Sequence, residues 1–146
     1  IQFITAIASM LSFLKWNWDP SKIFMGDCGS NYLGGLIFFC ILSKGEYLID
    51  FKTIFIIFPV LLDCSICLVR RFLNKENIFI SHKKHLYQRL HQSGISHSNV
   101  SLIYIMICLI NFLITFQNSS NIFILISFIE ILFFIYLDKN FAKEFI

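Results

Sequence analysis

Charge is what this chain has least of. Only 14% of its 146 residues are Asp, Glu, Lys or Arg, while 57% are hydrophobic; an ordinary soluble domain carries about 25% charged residues. That deficit excludes a typical water-soluble domain and indicates an integral membrane protein. No internal repeat or low-complexity segment is present. Charged side chains are nearly missing from the apolar stretches: apart from Lys52 at the edge of one, only Asp63 and Glu130 lie inside them, which argues against a transporter with charges distributed along an ion path. A basic leader with a cleavage site is also missing, so no secretory signal is read. The first residue is Ile rather than Met, and the chain is expected to be a piece of a longer one. Of the five cysteines, four sit in apolar runs. Cys64-Ser-Ile-Cys67 has redox-like spacing, but inside a hydrophobic segment it reads as small apolar packing rather than a redox or metal pair.

What is present is a succession of apolar stretches. Ile1 to Leu14 would span ~21 Å as a helix, short of a ~30 Å hydrocarbon core, and reads as a membrane helix lacking its outer end. Trp16 and Trp18 follow, as interfacial aromatics do. The second stretch runs from Tyr32 to Leu42 and on toward Leu48, with Lys44 and Glu46 at its far end. The third runs from Phe51 to Val69 and stops at Arg70-Arg71. The fourth is Val100 to Phe116 and the fifth Ile122 to Leu137, with Gln117 to Asn121 as a polar turn. The expected fold is all-α: one polytopic membrane domain over 1–146 with about five transmembrane helices. Lys15, Lys22, Arg70, Arg71, Lys75, Lys83, Lys84, Arg89, Lys139 and Lys143 then fall on one side, and only Lys44 and Lys52 on the other. By the positive-inside rule the loop around Asp27, the segment 70–99 and the C-terminus are cytoplasmic.

The stretch Lys22-Ile-Phe-Met-Gly-Asp-Cys-Gly-Ser-Asn-Tyr-Leu-Gly34 is the densest in chemistry. Asp27 stands between Gly26 and Gly29, residues that let a backbone turn sharply and an anion approach closely. Ser30 or Asn31 is expected to cap the following helix, whose first amides suit a phosphate. A carboxylate there would repel phosphate unless Mg²⁺ bridged them. The residues suggest a metal-diphosphate site; a membrane loop with turn glycines and a capping serine is the plainer alternative.

All four histidines, His82, His85, His91 and His97, lie in the 70–99 segment. If Ser81 to Leu90 is helical, His82, His85 and Arg89 share one face. That face would bind phosphates or a sugar nucleotide, lie on anionic lipid, or hold a metal through His82 and His85. For the last, no thiol or acid is spaced to complete a zinc set. Asp63, two helical turns before Arg70, lines the floor of a site, pairs with a basic group, or makes a structural hydrogen bond between helices. Glu130 has no motif around it and is given no role. Asn111 reads as interhelical glue.

Taken together these residues resemble the polyprenyl-phosphate sugar-1-phosphate transferases, glycosyltransferase family 4, which include the phospho-N-acetylmuramoyl-pentapeptide transferases. The resemblance runs through Asn17, Pro20-Ser-Lys-Ile-Phe-Met-Gly-Asp-Cys-Gly-Ser30, Leu33-Gly34, Pro59-Val-Leu-Leu-Asp63, Arg70-Arg71 and His82-Lys-Lys-His85-Leu-Tyr-Gln-Arg-Leu90. It looks like the C-terminal half of a family member. It implies that a polyprenyl phosphate attacks a UDP-N-acetyl sugar, giving UMP and a polyprenyl-diphosphate sugar, with Mg²⁺ as cofactor. Asp27 would be the metal-binding aspartate and, with His85, catalytic. Lys22, Gly29, Ser30, Asp63, His82 and Arg89 would bind substrate. The implied partners are the nucleotide sugar, the polyprenyl phosphate and membrane lipid, without nucleic acid; a homodimer is admitted. The implied location is the bacterial inner membrane, with the site loops cytoplasmic.

The departures matter too. Tyr87 and Gln88 stand where many members have two further histidines, His82 where some have Asp, and Cys28 where a small residue is usual. These point to a branch acting on other N-acetylated sugars, for O-antigen or capsule, rather than to the peptidoglycan enzyme. The family's upstream paired aspartates have no counterpart among the 26 residues before Asp27, so the isolated chain is expected to be inactive. A non-enzymatic lipid- or partner-binding membrane protein is the alternative reading.

Overall fold

The computed structural model describes residues 2–42, 51–117 and 120–145. Lys44, Glu46 and Leu48 of the second apolar stretch, and Asn118 and Ser119 of the expected turn, lie outside the described residues. Among those described, every regular element is a helix. The chain divides into two compact units, Ile1–Ile49 and Asp50–Ile146, each considered by itself.

In the first unit, α1 (Gln2–Asn17) leads through a short loop into α2 (Gly26–Leu42). The loop folds back on the end of α1. The Lys22 and Ile23 amides donate to the Trp16 carbonyl at 2.9 and 3.3 Å, and Asn17 Nδ2 donates to the Ile23 carbonyl at 2.8 Å. These bonds satisfy acceptors that a helix end leaves open. Gly26 has φ +64°, a conformation that costs a side-chain-bearing residue energy, and the helix begins there. That early start corrects the expectation for Ser30. It is not a cap but lies inside α2, its hydroxyl donating to the Asp27 carbonyl at 3.1 Å.

The second unit holds α3 (Phe51–Ile56), α4 (Phe58–Leu73), α5 (Leu86–Gln92), α6 (His97–Ile114) and α7 (Ser120–Asn140). The third apolar stretch is therefore broken at Ile57 rather than continuous. The cause is Pro59, which has no N–H to donate and whose ring crowds the carbonyl four residues back. That carbonyl belongs to Phe55, and it accepts instead from Asn111 Nδ2 of α6 at 3.0 Å. Asn111 is interhelical glue, as its position in an apolar helix implied. Beyond the break, Pro59, Asp63, Cys67 and Arg71 are the buried residues of α4. They recur every four residues and so share one face.

Leu86, Leu90, Val100, Phe134 and Leu137 form the core between α5, α6 and α7. At the head of α6, Ser96 Oγ accepts from the Asn99 amide at 3.2 Å, an N-cap. Two helices, His97–Ile114 and Asn121–Asn140, are long and apolar enough to cross a membrane. They keep large apolar side chains such as Met106, Leu125 and Phe128 on the outside, as contact with lipid would require. Glu130 is buried with both carboxylate oxygens unpartnered among the described residues.

The Asn111 bond gives a direct expectation. Replacing Asn111 by Leu strands the Phe55 carbonyl in apolar surroundings and should destabilise the protein by about 1 kcal/mol, as interhelical hydrogen bonds in membranes do. Unfolding in mixed micelles should show a lowered midpoint.

Candidate active site

The site in the second unit is built on Asp63. Its carboxylate is buried, and a buried charge must be met by donors. Oδ1 accepts from the Leu86 amide at 2.7 Å. Oδ2 accepts from the Tyr87 amide at 3.3 Å and from Tyr104 Oη at 2.8 Å. Leu86 and Tyr87 open α5, where amides have no intrahelical partner. A side chain on α4 thus caps α5 from 23 residues away and ties both to α6. Of the readings of Asp63, the interhelical hydrogen bond is what the structure contains.

This cap decides where the histidines go. The helix starts after His85, whose backbone is extended, and residues 81–84 are not helical. The expectation of one helical face carrying His82, His85 and Arg89 is therefore corrected. Asp63 meets the chain at Leu86 and Tyr87, which fixes the start of α5 there. His82 and His85 still come together, with ring centroids 5.0 Å apart, and His85 stacks on Tyr87 at 5.6 Å. His85 Nδ1 lies 3.7 Å from Asp63 Oδ1. His91 and His97 form a second stacked pair, 3.5 Å between centroids.

Arg89 turns away from this pair. It is buried and ion-paired with Asp138 of α7, which also pairs with Arg70. The Phe145 ring lies 5.2–5.4 Å from Arg70, Lys84 and Arg89. Arg71 is buried too. It donates to the carbonyls of Asn77, Ile78 and Ile80 and to Glu76, which also accepts from Lys84 Nζ at 2.7 Å. These arginines hold the segment 76–89 in shape. The side-chain bond to Lys84, and secondarily the bond to Arg71, hold the Glu76 carboxyl below its usual range. Partial burial, with Arg71 and His85 nearby, lowers the His82 imidazole, so it is neutral at pH 7.

One neighbour was not foreseen. Cys67 Sγ and one ring nitrogen each of His82 and His85 lie within 4.8 Å of one another. The reading that no thiol or acid is spaced to complete a zinc set with these histidines missed Cys67, which α4 carries one turn beyond Asp63 on the same face. That i, i+4 spacing is the signal that could have found it. Tyr104, Asp138 and Phe145 were also missed; only Asp138, an acid closing an apolar helix, carried any local hint.

In the first unit Asp27 is exposed in the first turn of α2, where a negative charge suits the helix dipole. Gly29 lies so close to the Met25 side chain that a Cβ would collide with it. Lys22 Nζ sits 5.6 Å over the Trp16 ring. Asp27, Lys22, Gly29 and Ser30 thus belong to one unit, and Asp63, His82, His85 and Arg89 to the other.

Comparison with known proteins gives a consistent picture. Residues 1–44 match the model of the family Glycosyl transferase family 4. A probable undecaprenyl-phosphate N-acetylglucosaminyl 1-phosphate transferase of Bacillus subtilis is 38% identical over 109 residues, covering 70% of this chain and 30% of the relative. A phospho-N-acetylmuramoyl-pentapeptide-transferase of Chlamydia muridarum is 35% identical over 85 residues, 56% of this chain and 24% of the relative. One of Arthrobacter sp. is 51% identical over 45 residues, 30% of this chain and 12% of the relative. The chain spans less than a third of the length of each. No solved structure matches.

Two outcomes follow from this geometry. Asp63→Asn puts an amide group against N–H donors and should cost about 1–3 kcal/mol, with hydrogen exchange speeding up first at the Leu86 and Tyr87 amides. His82 should titrate below the usual imidazole value of 6.5. Because the folded state disfavours its protonation, stability is full above pH 6.5 and falls as the pH drops toward the folded midpoint. Ring resonances followed by NMR give that midpoint; a value above 6.5 contradicts the placement.

Proposed function

Because the chain belongs to glycosyl transferase family 4, we propose that the protein carrying it transfers a sugar-1-phosphate from a UDP-N-acetyl sugar to a polyprenyl phosphate such as undecaprenyl phosphate. The reaction would start a cell-surface polysaccharide of the O-antigen or capsule type at the inner membrane, with the Asp27 and histidine loops facing the cytoplasm. Since the chain spans 30% of the Bacillus relative, activity is assigned to the longer protein and none to these 146 residues alone. The observation that carries the reading is the exposed Asp27 carboxylate in the first turn of α2, within the family-matched segment 1–44.

Asp27 fits Mg²⁺. A hard, exposed carboxylate oxygen is what that ion takes from protein when substrate phosphates supply other ligands. When bound, the ion neutralises the diphosphate and the departing nucleotide. The chain's own part is positional. Asp27 offers the metal a carboxylate oxygen, Lys22 and the unpaired first amides of α2 favour phosphate oxygens, and His82 and His85 receive the nucleotide diphosphate. Asp63 acts through His85 as a positioning residue, fixing the residue at the head of α5. Arg89 supports the same loop from inside.

In the intact protein, Asp27→Asn should lower UMP release by roughly 10²–10³-fold, the loss of several kcal/mol of charge stabilisation, with helix content unchanged. Unchanged turnover or unchanged function would overturn the reading and favour a lipid- or partner-binding protein.

A further inference from the structure

We propose that Cys67, His82 and His85 form a binding site for a borderline-soft divalent cation of the zinc type, separate from the Mg²⁺ role assigned to Asp27. The three donor atoms lie within 4.8 Å of one another. In a tetrahedral zinc site, with bonds of about 2.0–2.3 Å, neighbouring donors stand roughly 3.4–3.6 Å apart. The donors must draw closer to bind, and His82 lies on a non-helical segment, where its side chain is not fixed by a helix. One thiolate and two imidazoles suit zinc, cobalt(II) or copper and do not suit Mg²⁺, which takes oxygen.

The surroundings fit. Cys67 is a free thiol, 2% exposed, so a cation there would be shielded on the α4 side. His85 Nδ1 is buried without a hydrogen-bond partner, facing Asp63 Oδ1 at 3.7 Å. A carboxylate that accepts from the other ring N–H of a ligating imidazole is the usual outer support of a zinc site, and Asp63 stands just beyond that reach. Of the cations nearby, Arg71 has its charge engaged by Glu76 and three carbonyls, and Lys84 is paired with Glu76. Three protein donors leave a fourth position open, and a phosphate oxygen is a ligand it would accept. The site thereby deepens the proposed function, on which that last clause rests: the cation and a nucleotide diphosphate meet at the same two imidazoles.

The test uses the intact protein in detergent, with cobalt(II) as the probe and zinc as competitor. One equivalent of cobalt should bind with thiolate-to-cobalt charge-transfer absorption and be displaced by zinc. Cys67→Ser should abolish that band. His82→Asn, at a half-buried loop position, should weaken cobalt binding at least tenfold with helix content at the parent level. Cys28→Ser, at an exposed cysteine of the other unit, should leave the band intact. A folded protein without the band, or a band that survives Cys67→Ser, overturns the site. Asp27→Asn should bind cobalt like the parent protein, so failure of the transferase reading and failure of the cation site are read separately.

Discussion

The second unit depends on one carboxylate that has been taken out of water. Asp63 sits on the buried face of a helix rich in apolar residues, and an unmet charge there would cost several kcal/mol. It is met by two amides at the head of α5 and by the Tyr104 hydroxyl. The arrangement is reciprocal. The first amides of a helix need acceptors, and a buried carboxylate needs donors. The start of α5, the extended backbone at His85 and the approach of α6 all follow from satisfying both at once.

The basic residues divide along similar lines. A sequence dense in Arg and Lys next to histidines invites a phosphate-binding reading for all of them. In the fold, Arg71 gathers the carbonyls of Asn77, Ile78 and Ile80, while Arg70 and Arg89 converge on Asp138 under the Phe145 ring. Guanidinium is suited to this because its planar fork serves several acceptors together. The cations build the platform, and the imidazoles of His82 and His85 are what the platform presents.

Much of this was legible in the chain. The five apolar stretches each appear as largely helical over their described residues, the third as two helices, and Asn111 does what a lone amide in an apolar helix does. Pro59 could have been read as the break in the third stretch, since its effect on the Phe55 carbonyl is local. The start of α5 could not, because the acceptor that sets it lies 23 residues upstream. Local spacing put His82 and Arg89 on one helical face; a long-range cap removed the helix under His82. Ser30 failed for the opposite reason. The glycine turn let α2 begin earlier than the first good capping residue. Cys67 was discounted on its own segment alone, although its four-residue spacing from Asp63 was in plain view.

Asp27 and Asp63 show how burial sorts chemically identical groups into different work. Asp63 spends its lone pairs on three protein donors, so few remain for a metal ion or a substrate. Asp27 stands exposed on the first turn of a helix, where the dipole favours its charge and its oxygens face solvent. A hard cation that brings its own water and phosphate ligands needs only one such protein oxygen. On ligand supply alone, Asp27 suits the proposed metal role better than Asp63 does, and Asp63 suits a positioning role. The same accounting explains why a thiolate-containing cluster beside Asp63 would select a different class of ion from the one expected at Asp27.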